Sequence, residues 1–152
     1  MNRNGKIIAL VALTTVLAVT AAKRQARAWA PPALRQDLNG LRLKGDGSAQ
    51  YLMGRGCRRH IPDIATRDRI FRYDRYQYFP DIDQITECQP ISTDAFLARA
   101  TGRREVFLID DGTKRGVTSP QVMDKYGFDF NKVQPVSPPM LLDYVPSGED
   151  IY

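Results

Sequence analysis

The densest run of side chains able to do chemistry lies between Arg55 and Phe79. There Arg55, Arg58, Arg59, Arg67, Arg69, Arg72 and Arg75 are interleaved with Phe71, Tyr73, Tyr76, Tyr78 and Phe79. Asp63, Asp68 and Asp74 dilute the stretch to a net charge of +4. Guanidinium forks grip phosphate or carboxylate through paired hydrogen bonds, and tyrosine faces stack on sugars or bases. The chemistry implied is recognition of an acidic polymer. An ordinary alternative stands beside it: Phe71, Tyr73 and Phe79 are core, and the arginines pair with neighbouring aspartates.

Signals for catalysis are thinner. His60 is the single histidine, and no serine or cysteine nucleophile is placed with it, so it reads as a surface residue at a strand end. Asp81 and Asp83 follow Pro80 and offer a calcium- or glycosidase-like pair, but no D-x-D-x-D-G loop with a distal glutamate follows. Asp110-Asp111 sits before Gly112, where turn geometry alone favours aspartate. The glycine-rich pieces lack the lysine and helix of a phosphate loop. No metal site and no cofactor is expected, and none of these residues is assigned a catalytic role.

Cys57 and Cys88 are the two cysteines, an even count that favours a disulfide in an exported chain. Export is suggested by the first 28 residues. Arg3 and Lys6 precede an apolar run from Ile7 to Ala22, and Ala26-Arg27-Ala28 offers an A-x-A cleavage site before Trp29. The rival reading is an uncleaved anchor over residues 7–22, although that run is short against the roughly 20 residues a span requires. Five of the 22 basic residues lie in this leader, which leaves 17 basic against 17 acidic residues. The chain's net +5 therefore carries no argument for nucleic acid. Charge is nonetheless uneven, with +4 over Arg42–Arg104 and −4 over Glu105–Tyr152. Oppositely charged halves could pair within or between molecules.

The elements that position these residues recur. Tyr51-Leu52-Met53 matches Phe107-Leu108-Ile109, Gly56 matches Gly112, Arg58-Arg59 matches Lys114-Arg115 and Asp63 matches Ser119, all at a spacing of 56. Each copy reads as a strand, a glycine turn and a second strand, followed by a helix capped by Asp63 or Ser119. "QPIS" (Gln89–Ser92) recurs as "QPVS" (Gln134–Ser137), and Leu97 falls on Leu142, at a spacing of 45. Ser92 and Ser137 then read as caps of second short helices. The drop in spacing implies 11 extra residues in the first copy, within Arg67–Glu87. Repetition of three features in one order points to duplication.

The pattern Y-L-I-x-x-G-x-x-R…S-P…Y-G-F…V-x-x-V-S…L…P-x-G resembles a short repeat found, often in tandem, in exported and surface proteins of bacteria. The resemblance covers Tyr51 to Gly148. The second copy fits it better, because the first lacks the Gly-Phe after its helix. It implies an extracellular binding or scaffold module with no reaction attached.

The resulting expectation is an α+β protein of two tandem related units packed around a shared core. Each unit is a hairpin, a short helix, a strand and a second short helix. Residues 1–28 are the leader, 29–45 a linker or arm, 46–102 the first unit with its insertion and 103–152 the second. The expected function is a non-enzymatic module of the cell envelope or exterior. Its partner is an envelope polymer or another protein, met through Arg69, Arg72, Tyr73, Arg75, Tyr76 and Tyr78. A structural subunit that pairs through its charged halves, and a cell-wall hydrolase built on Asp81 and Asp83, are the alternatives.

Overall fold

Two four-stranded sheets carry the molecule. The structure, a computed structural model, describes residues 31–152, so the expected leader and its expected cleavage site lie outside the described residues. The first sheet contains β1 (Arg42–Lys44), β2 (Gln50–Gly54), β3 (Cys57–Ile61) and β4 (Gln77–Tyr78), in the order β3-β2-β1-β4. The second contains β5 (Phe96–Ala100), β6 (Val106–Asp110), β7 (Thr113–Val117) and β8 (Gln134–Val136), in the order β7-β6-β5-β8. Both sheets have two antiparallel pairings and one parallel pairing, β1 with β4 and β5 with β8. One α-helix in each half, α1 (Ile64–Ile70) and α2 (Pro120–Lys125), leads from the hairpin towards the parallel strand.

Local chemistry explains the shared elements. Arg55-Gly56 and Asp111-Gly112 all have positive φ, 57° and 78° in one turn and 51° and 66° in the other. Two consecutive left-handed residues make the hairpin turn whose twist matches that of its strands, and glycine takes the second position without steric cost. The helix starts are capped as read: Asp63 accepts from the Thr66 amide at 2.6 Å and Ser119 from the Val122 amide at 3.2 Å. After each parallel strand a 3₁₀ turn, Ile82–Gln84 or Pro139–Leu142, folds the chain back. The chain then runs along the free edge of β3 or β7. Arg58 donates its amide to Thr86 and accepts from Cys88, both at 2.9 Å. Lys114 does the same with Pro146 and Gly148, both at 2.8 Å. A hairpin edge that would otherwise invite foreign strands is thereby paired.

Residues Ala33–Tyr152 form one compact unit. Its main core lies between the inner faces of the sheets. Leu52 and Ile61 of the first meet Leu97, Leu108 and Val117 of the second, together with Ile70, Val122 and Met123 from the helices. Phe71 stacks on Phe128 with ring centroids 5.8 Å apart. Each outer face has its own smaller cluster. Leu43, Met53, Ile82 and Ile85 cover the first sheet, and Ala98, Ala100 and Leu142 the second.

Several expectations need correction. Ser92 opens no helix; its hydroxyl accepts from the Asp111 amide at 3.1 Å, and the chain passes through a turn into β5. Phe96–Ala100, assigned by spacing to the first unit, hydrogen-bonds into the second sheet. The segment 29–45 is not all arm, because Arg42–Lys44 is an internal strand. Nor does the match of Gln89–Ser92 with Gln134–Ser137 follow the sheets. Gln77 and Gln134 hold the corresponding places beside Leu43 and Ala98, at a spacing of 57, which leaves no 11-residue insertion. The short "QP-x-S" match misled because two residues of local turn chemistry outweighed a two-residue strand with little pattern.

Candidate functional site

A groove of about 500 Å³ opens beside the start of β1, between the loop after α1 and the end of α2. Arg42, Arg72, Arg75 and Lys125 line it with Tyr73, Tyr76 and a single carboxylate, Asp124. Four of the six expected binding residues come together here: Arg72, Tyr73, Arg75 and Tyr76. The other two do not. Arg69 donates to the Thr93 and Ala95 carbonyls at 3.0 and 3.3 Å and ties α1 to the entry of β5. Tyr78 stands on β4 and donates its hydroxyl to Asp46. That bond and the negative charge raise its phenol above the ordinary range.

The local build is governed by α1. The helix ends at Ile70, and Phe71 drops into the core, so the residues that follow run over the surface as Arg72-Tyr73-Asp74-Arg75-Tyr76. Tyr73 and Tyr76 remain 57% and 45% exposed. The Arg72 and Arg75 guanidiniums lie 5.9 and 5.8 Å from the Tyr73 ring centre, and the Lys44 ammonium lies 5.1 Å from that of Tyr76. Cation–ring contacts of this kind hold exposed rings in place. Arg72 also pairs with Asp124 at 2.8 Å, which lifts its pKa further. Arg75 makes no ion pair with any described residue.

The residue that sequence reasoning missed is Arg42. It is only 7% exposed. One guanidinium nitrogen donates to the Tyr73 carbonyl, and the group lies 4.7 Å from the Phe71 ring centre. Burial pushes its pKa down, with Asp74 opposing that shift and Arg67 adding to it. Its Nη1 is buried and meets no acceptor among the described residues. A buried donor without an acceptor costs about 1–3 kcal/mol, and more when charged. Its only sequence signal was the alternation Arg42-Leu43-Lys44 before a Gly-Asp-Gly turn, too short to mark a strand.

The remaining arginines of the Arg/Tyr run follow the ordinary alternative. Arg58 bridges Asp83 at 2.7 Å and Glu87 at 3.0 Å beneath the Tyr51 ring. Arg59 meets Asp110, and Arg67 meets Asp68 and Asp74 at 2.8 and 2.9 Å. Asp83 is thus engaged in an ion pair. His60 lies on β3 against the Tyr51 ring, at 5.6 Å. Among the described residues, no group of three or more His, Cys, Asp or Glu side chains is arranged to hold a metal ion.

Cys57 and Cys88 form a disulfide with their Cα atoms 5.7 Å apart. It joins the start of β3 to the strand-like return along its edge. The strand register and the edge hydrogen bonds make Thr113 and Gly148 the corresponding positions in the second half. An oxidising compartment suits such a bond. No helix among the described residues is long and apolar enough to cross a membrane. No protein-family model, curated protein or solved structure matches the chain.

Proposed function

We propose that this chain is a non-enzymatic binding module of the cell envelope or exterior, built from two units related by duplication. Its groove at Arg42 takes an acidic polysaccharide. The observation that carries this reading is the buried Arg42 Nη1, which has no described acceptor, at the wall of a groove where four cations face one carboxylate. Two exposed tyrosine faces flank those cations and suit sugar rings. The paired strand order, the two hairpin turns and the two capped helices support the duplication. Charge in the groove attracts the polymer, and the rings orient it.

The test is binding of polygalacturonate, with neutral dextran as control, measured by calorimetry over a series of salt concentrations. Polygalacturonate is expected to bind and to weaken as salt rises, because counterions screen and compete for the guanidiniums. Arg72→Ala with Arg75→Ala should weaken binding and flatten that salt dependence, with the melting temperature nearly unchanged, since exposed ion pairs contribute about 0–1 kcal/mol. Equal binding of dextran, or unfolding of the double variant, would count against the groove.

A further inference from the structure

We infer that a second site, the cleft between the two hairpins, binds a small monocarboxylate with an apolar body, and that Arg115 holds its carboxylate. This site opens on other residues than the groove at Arg42, with Tyr126 lining both. It follows from comparing corresponding positions on the inner faces of the two sheets.

Leu52 stands opposite Arg59 in the first sheet, and Leu108 stands opposite Arg115 in the second. Arg59 reaches across to Asp110 of the other sheet at 2.5 Å, and also donates to the Gln89 and Pro90 carbonyls at 2.8 and 3.1 Å. Asp110 is itself buried, 1% exposed, and accepts a second bond from the Ser92 amide at 2.9 Å. Asp110 and Gly54 occupy matching places at the ends of β6 and β2, opposite Thr113 and Cys57. Arg115 therefore has no carboxylate across from it. A Cβ added at Gly54 would meet nothing within 4 Å. The Arg115 Nε is buried and meets no acceptor among the described residues. Its guanidinium lies over Gly148, 3.0 Å from where a Cβ would stand, in the place that Cys88 fills in the first half.

Gly54 and Arg115 border a cleft of about 590 Å³ whose floor reaches the core residues Leu52, Leu108 and Tyr126. That volume suits a small organic ligand. A carboxylate beside Gly54 would meet Arg115 as Asp110 meets Arg59, and an apolar body would cover the leucines and the tyrosine ring. Three carboxylates besides Asp110 line the same cleft and set the charge limit. Glu149 is held by Arg55 at 2.7 Å, Asp111 accepts from Gln89 at 2.5 Å, and Asp150 accepts from the Gly116 amide at 3.1 Å. They repel a second negative charge, so the cleft discriminates against polyanions.

The experiment uses hexanoate as probe, with hexanol and citrate as controls, and follows amide shifts of the full chain by NMR. Hexanoate is expected to shift β2, β6 and β7 resonances saturably, with hexanol and citrate about tenfold weaker or more, the worth of one charge-assisted contact. Gly54→Asp supplies the carboxylate from within, and should weaken hexanoate by a similar factor while leaving the melting temperature unchanged or higher. Arg115→Gln should weaken it too, and Arg42→Leu should leave it unchanged, which separates this site from the groove. The inference fails if hexanol binds as well as hexanoate, if no probe saturates, or if both cleft variants bind hexanoate as the parent chain does.

Discussion

Where the first sheet sets Arg42 opposite Leu52, the second sets Leu97 opposite Leu108. Leu97 is fully buried in the main core, whereas Arg42 carries a charge at the corresponding place and borders a groove. The same substitution of role recurs. Cys57 and Cys88 form a covalent link where Thr113 and Gly148 do not, and Asp110 meets a guanidinium where Gly54 offers none. Apolar positions behave differently: Leu52 and Leu108, and Ile61 and Val117, are buried alike. One backbone plan tolerates two electrostatic programmes because strand pairing and turn geometry do not depend on which polar side chains line the sheets. Polar and charged differences concentrate where the halves stop corresponding.

That contrast can be broken most forcefully at Arg59 and Asp110. Asp110→Ala leaves a guanidinium facing the interior without its carboxylate, and the expected cost is about 3–5 kcal/mol by chemical denaturation. Arg115→Ala, at the matching position in the other half, should cost about 1 kcal/mol or less, because no ion pair is lost. Equal losses at the two sites would mean that the halves do not differ in this way.

Next in size is the disulfide. Its removal by Cys57→Ala with Cys88→Ala should lower stability by about 3–4 kcal/mol, the loop-entropy value for the 31-residue separation. Opening should then begin at the edge of β3. Hydrogen exchange of the amides at positions 58 and 88, set against those of Lys114 and Gly148, checks this directly. Faster exchange in the second half would reverse the comparison.

Converting Arg42 to its counterpart sharpens the point further. Arg42→Leu is expected to stabilise the chain by about 1 kcal/mol, because a buried charge replaced by an apolar group of similar volume is often neutral or favourable. Polygalacturonate binding should be lost in the same variant. A variant that is both destabilised and still binds would show that Arg42 serves the fold.

The smallest effect is a difference in acid response between the helix starts. Hydrogen bonds from Thr66 hold the Asp63 carboxyl below its ordinary value of 3.8. A depressed folded pKa means that the cap's contribution is complete above the unfolded value and is lost as pH falls through the folded one. The Ser119 cap has no such proton. Asp63→Ser should therefore flatten the acid limb of the stability profile below 3.8 without changing it near neutrality. An unchanged acid limb would remove Asp63 from the account.

Much of the fold was legible where local chemistry suffices. Glycine after Arg55 and Asp111, the caps Asp63 and Ser119, and alternating apolar residues in the hairpins specify turns, helix starts and strand faces through neighbours in the chain. The Cys57–Cys88 pairing was legible from parity and export signals. Tertiary structure alone decided the remainder. Arg42–Lys44 and Gln77–Tyr78 are too short to show a period, and they become strands because the hairpin presents the edge of β2 to the first, which in turn presents its own edge to the second. Which arginines are free was also decided in three dimensions. Arg58, Arg59 and Arg67 are bound by carboxylates as far as 51 residues away in sequence, while Arg75 remains at the groove. Side-chain type sets what a residue can bind, but only packing sets what lies within a hydrogen bond's reach.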